Sequence, residues 1–192
     1  MNMKKILFIG IALLFSASLS AQKFALKNNL VYDATLTPNL AFELGLGPKT
    51  TLELGGGYQW WDYNEDPGKK FRHYLIQPEL RFWSCERFNG FFWGIHLHGG
   101  EFNVAGIKLP FGAFPSLKDH RYEGYFYGAG VSIGNQWILG KRWNLEASIG
   151  AGYARYHYDK FKCGNCGEFL KDGDKNYFGV TRATLSFIYF LK

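Results

Sequence analysis

Trp143-Asn144-Leu145-Glu146-Ala147-Ser148-Ile149-Gly150-Ala151-Gly152-Tyr153 alternates without a break. Trp143, Leu145, Ala147, Ile149, Ala151 and Tyr153 fall on one side; Asn144, Glu146, Ser148, Gly150 and Gly152 fall on the other. Side chains on a strand point to opposite faces in turn, so the stretch reads as a β-strand with one apolar and one polar face. Its polar face, made of glycine, serine and a carboxylate, is too small and too polar for the core of a water-soluble sandwich. A transmembrane β-barrel requires that inversion, with apolar residues toward lipid and polar ones toward the lumen.

The same alternation, broken by turn residues, divides the chain into roughly eight strands. They run from about Phe24 to Asp33, Leu40 to Leu46, Thr51 to Tyr63, Phe71 to Trp83, Phe91 to Phe102, Tyr122 to Leu139, Trp143 to Tyr158 and Tyr177 to Lys192. Gly47-Pro48-Lys49-Thr50, Glu86 to Gly90 and Gly140-Lys141-Arg142 are short turns. Asn64 to Lys70, Asn103 to Arg121 and Asp159 to Asn176 are longer and read as loops, as Pro, Gly and polar residues demand. The predicted fold class is therefore all-β: an eight-stranded antiparallel up-and-down transmembrane barrel with a polar, plugged interior. Short turns at one end and long loops at the other match bacterial outer-membrane barrels. Trp60, Trp61, Trp83, Trp93, Trp137 and Trp143 all fall near predicted strand ends, where amphipathic rings favour a membrane interface.

Upstream, Lys4 and Lys5, the apolar run Ile6 to Phe15 and the small residues Ser16 to Ala21 form the three regions of a secretory signal peptide. Cleavage after Ala21 leaves residues 22–192 as one barrel domain that begins at Gln22. The apolar run is shorter than the ~20 residues that a membrane-spanning helix needs, and no Cys follows the cleavage zone to carry a lipid anchor. Loss of Lys4 and Lys5 lowers the formal charge from +6 to +4. Lys69, Lys70, Lys118, Arg121, Lys160 and Lys162 sit in predicted loops, where they can meet lipopolysaccharide head groups. Nucleic-acid binding is excluded for an exported chain without a basic aromatic stripe. Aromatics make up 19% of residues while mean hydropathy is only −0.18, which fits rings concentrated on one face and in girdles.

The inward parity set contains Lys27, Glu43, Glu53, Glu79, Arg81, Glu146 and Arg182, with Gln59, His73, His96 and His98. Unpaired charges in a narrow lumen cost several kcal/mol each, so these side chains are expected to form a structural salt-bridge network. About eight strands leave a lumen that side chains just fill, which disfavours a porin. Small residues on strands six and seven are expected to make room for the long side chains opposite. His96 and His98 share a face at a spacing that could chelate a metal, but the sequence offers no further ligands. Ser132, Ser148, His96, His98 and Glu146 carry the atoms of a hydrolase, without a motif that sets a nucleophile beside a base. No catalytic residue, metal or cofactor follows. Cys163-Gly164-Asn165-Cys166 reads as a loop-tightening disulfide outside the cytoplasm, with Cys85 unpaired. Gly106 to Pro115, with Leu109, Phe111 and Phe114, is apolar for a surface loop.

Phe24 to Ala34, with its Lys-x-Asn-Leu opening, and Thr37-Pro38-Asn39-Leu40-Ala41-Phe42-Glu43 resemble the start of a Bacteroides-type family of small outer-membrane β-barrels of unknown function (domain of unknown function 3575). Tyr74 to Trp83, Gly124 to Gly134 and Gly150 to Tyr153 are similar to its later strands, and the family is distantly similar to outer-membrane protein A-type barrels. The resemblance implies a fold and no chemistry. It also implies partners among surface or fimbrial proteins, since members are often encoded near such genes. The expected function is a non-enzymatic structural or surface-interaction role in the outer membrane, in contact with lipid and lipopolysaccharide. The alternatives are an enzyme acting on lipid A or other lipids, and a narrow pore.

Overall fold

A computed structural model describes residues 24–61, 69–106, 117, 120–162 and 167–191. The predicted signal peptide, the Cys163–Cys166 pair and Leu109, Phe111 and Phe114 lie outside the described residues. The chain is all-β: β1 (Phe24–Asn29), β2 (Asn39–Gly45), β3 (Thr50–Gln59), β4 (Lys70–Trp83), β5 (Gly90–Ala105), β6 (His120–Ile138), β7 (Trp143–Lys162) and β8 (Phe169–Leu191). Each strand pairs antiparallel with its neighbour in sequence, and β8 returns to β1, so the sheet closes into a ring. Among the described residues no helix is long and apolar enough to cross a membrane.

The ring is uneven in height, from 6 residues in β1 to 23 in β8. Two expectations change here. The first predicted strand stops at Asn29, and Leu30–Asp33 forms a single helical turn, α1. Asn29 ends the strand because its side-chain oxygen accepts from the Val31 N–H at 3.1 Å, which caps the turn. The segment read as a loop from Asp159 to Asn176 instead continues β7 to Lys162 and starts β8 at Phe169. The β7–β8 ladder continues through these charged residues to Phe161 and Phe169, so polarity alone misreads such a stretch.

The turns at one end are tight. Leu46 and Gly47 donate to the Thr50 carbonyl, and Leu139 and Gly140 to that of Trp143. The β4–β5 turn folds under the ring. Phe88 adopts φ +65°, a costly conformation for a non-glycine residue, and its carbonyl accepts from Asn144 Nδ2 at 3.1 Å. Its ring joins Ala25, Trp83, Phe92 and Ile188 in an apolar cluster that fills the lower lumen. Trp83 thus leaves the predicted interfacial set. It points inward, 3% exposed, and its indole N–H donates to Thr51 Oγ1 at 2.9 Å. Cys85, in the same turn, is exposed and outside any disulfide.

The outer face carries most of the large apolar side chains. Phe91, Trp93, Ile95 and Leu97 on β5, Val131 and Ile133 on β6, and Ile149 on β7 are each close to half exposed or more. Aromatics edge this band at both levels. Phe82 stacks on Trp93 with centroids 4.5 Å apart, and Trp143 meets Tyr189 at 4.9 Å, on the side of the tight turns. Tyr153 meets Phe178 at 4.9 Å on the other side. Above that level the register sets Arg72, Asn103, Glu123, Asp159 and Asp172 in one polar row across five strands.

Candidate functional site

Inward parity on β1, β2, β3, β4, β7 and β8 brings Lys27, Glu43, Glu53, Glu79, Arg81, Glu146 and Arg182 to the middle of the lumen, each at most 6% exposed. Lys27 Nζ lies 2.9 Å from Glu53 and 2.6 Å from Glu146, and contacts Glu43 as well. Arg81 is the hub. Its Nη1 lies 2.9 Å from Glu146 and 3.3 Å from Glu43, its Nη2 2.7 Å from Glu53, and its Nε 2.7 Å from Glu79. Its guanidinium also sits 4.5 Å over the Phe92 ring, which joins the ionic layer to the apolar seal beneath. Arg182 closes the far side, 2.5 Å from Glu53 and 3.3 Å from Glu79, and donates to Gln77 Oε1 at 3.0 Å.

Neutral groups take up remaining lone pairs: Thr51 donates to Glu43, and Ser132 to Glu79. Four carboxylates thus face three cations in this layer, so the cations are the scarcer partner. Glu43, Glu53 and Glu146 bring one oxygen each within 4.8 Å of one another, a geometry that suits a metal ion. The Lys27 ammonium already bonds all three, so the cation held there is the protein's own.

The small residues of the facing wall supply space rather than contacts. A Cβ on Gly94 would stand 2.7 Å from Glu79 Oε1, and one on Gly130 2.7 Å from His96 Nε2. His96 and His98 lie directly across from Gly130 and Gly128 in the β5–β6 register. His96 Nε2 bonds Thr181 Oγ1 at 2.9 Å, and the two ring centroids are 5.6 Å apart. Ser132 is turned to Glu79 and Ser148 to Thr184 at 2.6 Å, so neither hydroxyl bonds a histidine. Gln59 lies higher, accepting from Thr37 at 2.8 Å, and His73 packs on Phe71 at 4.7 Å; neither joins the ionic layer.

Sequence reasoning passed over Thr51, Gln77 and Phe92. The signal was present, because Thr51 shares the parity of Glu53, and Gln77 that of Glu79 and Arg81. What was missing is the expectation that uncharged polar residues complete a charged lumen.

These features define a class: an all-β protein whose eight antiparallel strands close into one ring around a buried ionic layer, apolar on the outside. Residues 7–191 match the family described as "Protein of unknown function (DUF3575)", and the chain belongs to that family. No curated protein and no solved structure matches it.

Proposed function

We propose that the chain is a non-enzymatic outer-membrane β-barrel with a structural or surface-interaction role. The observation that carries this reading is the outer apolar band with its two aromatic edges. On β7 the band runs from Trp143 to Tyr153, which at about 3.3 Å per residue and a tilt of about 40° spans roughly 25 Å, the height of an outer-membrane band. At mid-height the interior holds charges and hydrogen-bonding groups, between an apolar cluster around Phe88 and Phe92 below and one around Phe102 and Tyr122 above. The arrangement is inverted relative to water and matched to lipid.

A buried ionic layer resting on an apolar seal favours a closed plug over a pore. Activity is then carried by the outer end, where surface or fimbrial partners and lipopolysaccharide would be met. The test is fractionation of cells that express the full chain, with gel mobility compared before and after boiling. The expected result is recovery only with outer-membrane detergent extracts and a compact unboiled band. Recovery as a detergent-independent soluble protein would sink the proposal.

A further inference from the structure

The two ends of the ring differ in charge. The upper end mixes signs, with Arg72, Glu123, Asp159 and Asp172 in one row. At the other end the three tight turns carry Lys49, Arg87, Lys141 and Arg142 against Glu86 alone among the described residues. Lys141 and Arg142 are consecutive and exposed at the tip of the β6–β7 hairpin.

Arg142 is fixed in place there. Its carbonyl accepts from the Phe190 N–H at 3.0 Å, and its Nη1 donates to Tyr189 Oη at 3.2 Å. The Tyr189 ring in turn packs on Trp143, with centroids 4.9 Å apart. A guanidinium carries five N–H donors in a planar fork that matches two oxygens of a phosphate. A phenol that accepts one hydrogen bond still has its own proton to donate. Arg142 and Tyr189 therefore present donors side by side on the outer wall, next to the Lys141 ammonium.

The wall above them is apolar and in line with them. The register sets Trp143 beside Tyr189, Leu145 beside Phe187, Ala147 beside Leu185 and Ile149 beside Ala183, none of them charged. Leu139 at the tip and Phe187 in the lane are exposed. A basic tip continuous with an uncharged lane narrows the occupant. A free phosphate matches only the tip, and a neutral lipid only the lane; an anionic amphiphile matches both. Short turns of an outer-membrane barrel face the periplasm, so the amphiphile is a glycerophospholipid of the inner leaflet and not lipopolysaccharide.

We infer that Lys141, Arg142 and Tyr189 form a headgroup site for an anionic glycerophospholipid, whose acyl chains lie along the β7–β8 lane. The inference rests on the membrane reading above and deepens it by naming one lipid, its leaflet and the residues that hold it.

The test places the full chain in phosphatidylcholine vesicles that contain phosphatidylglycerol with a photoreactive acyl chain. A parallel sample contains phosphatidylcholine with the same chain, and labelled peptides are mapped by mass spectrometry. Saturable labelling concentrated on the β7–β8 lane is expected, about tenfold stronger for phosphatidylglycerol, as two basic groups near a headgroup imply. Lys141→Gln with Arg142→Gln should abolish that preference, and Lys49→Gln, in another turn at the same end, should leave it unchanged. Equal labelling by the two lipids, label spread evenly around the ring, a preference that survives the double substitution, an equal loss with Lys49→Gln, or displacement by millimolar glycerol phosphate would each overturn the inference. The comparison of the two lipids on the unsubstituted chain stands whether or not the double variant folds. If the protein is extracted only with the outer membrane and shows no preference, this inference alone fails. If it is soluble without detergent, the membrane reading fails.

Discussion

Arg81 lies 2.9 Å from Glu146 in the lumen, and Arg155 lies 2.9 Å from Asp174 on the upper β7–β8 hairpin. The two pairs have the same chemistry and the same separation. Side-chain exposure is 0% and 1% for the first and 42% and 49% for the second. Water screens the outer pair and solvates each partner when the other leaves, so the bond is nearly free to break. The inner pair has no water to fall back on, and each charge depends on its partners for all of its solvation. Environment, and not geometry, decides which of the two holds the fold together.

Removing the hub cation should have the largest effect. Arg81→Met leaves four buried carboxylates facing two cations and is expected to cost about 3–5 kcal/mol, or to prevent assembly. Denaturant unfolding in micelles, followed by tryptophan fluorescence, measures it. Glu146→Gln, which evens the count, should cost distinctly less; equal losses would refute the view that cations are the scarce partner.

Moving a charge to the other face of the sheet comes next. Ile95→Arg, on the exposed face of β5, should destabilise the folded state by about 2–4 kcal/mol in lipid vesicles. The same substitution measured without lipid or detergent should be nearly neutral if the face meets water instead.

Crowding the ionic layer is the third test. Gly94→Ala sets a methyl 2.7 Å from Glu79 Oε1 and 3.0 Å from Ser132 Oγ, for which about 1–3 kcal/mol is expected from overpacking. The same unfolding assay reads this loss.

The smallest effect belongs to the outer pair. The hydrogen bond from Arg155 holds the Asp174 carboxyl below the usual carboxylate range. A lowered acid contributes stability above its unfolded value and loses it as pH falls through the lowered one. Acidification should therefore loosen amides of the upper β7–β8 hairpin, after correction for intrinsic exchange rates, and leave the global unfolding midpoint unchanged. Arg155→Ala should reduce that acid dependence, and Arg155→Ala with His157→Ala should remove it, because His157 also contacts the Asp174 carboxylate.

Much of the ring was legible in the sequence because alternation is local. Glu146 and Ser148 sit inside, and Trp143 and Ile149 outside, as their parity demands. The misreadings have a common cause. Trp83 shares the inward parity of Glu79 and Arg81, yet its ring type argued for an interface; parity wins because a strand cannot turn one side chain through its own sheet. Lys160 and Asp172 argued for a loop because they are charged, but ladder pairing holds both in strand, with Lys160 over the Tyr122 ring inside and Asp172 on the outer face.

The sequence alone determined which residues share a face, since a period of two needs no knowledge of the partner strand. Only the tertiary structure decided which charges meet. Lys27 and Glu146 are 119 residues apart and touch because ring closure and strand stagger set them at one height. The same stagger carries β8 above the end of β1. Register is a property of all eight strands together, and no single stretch of the chain contains it.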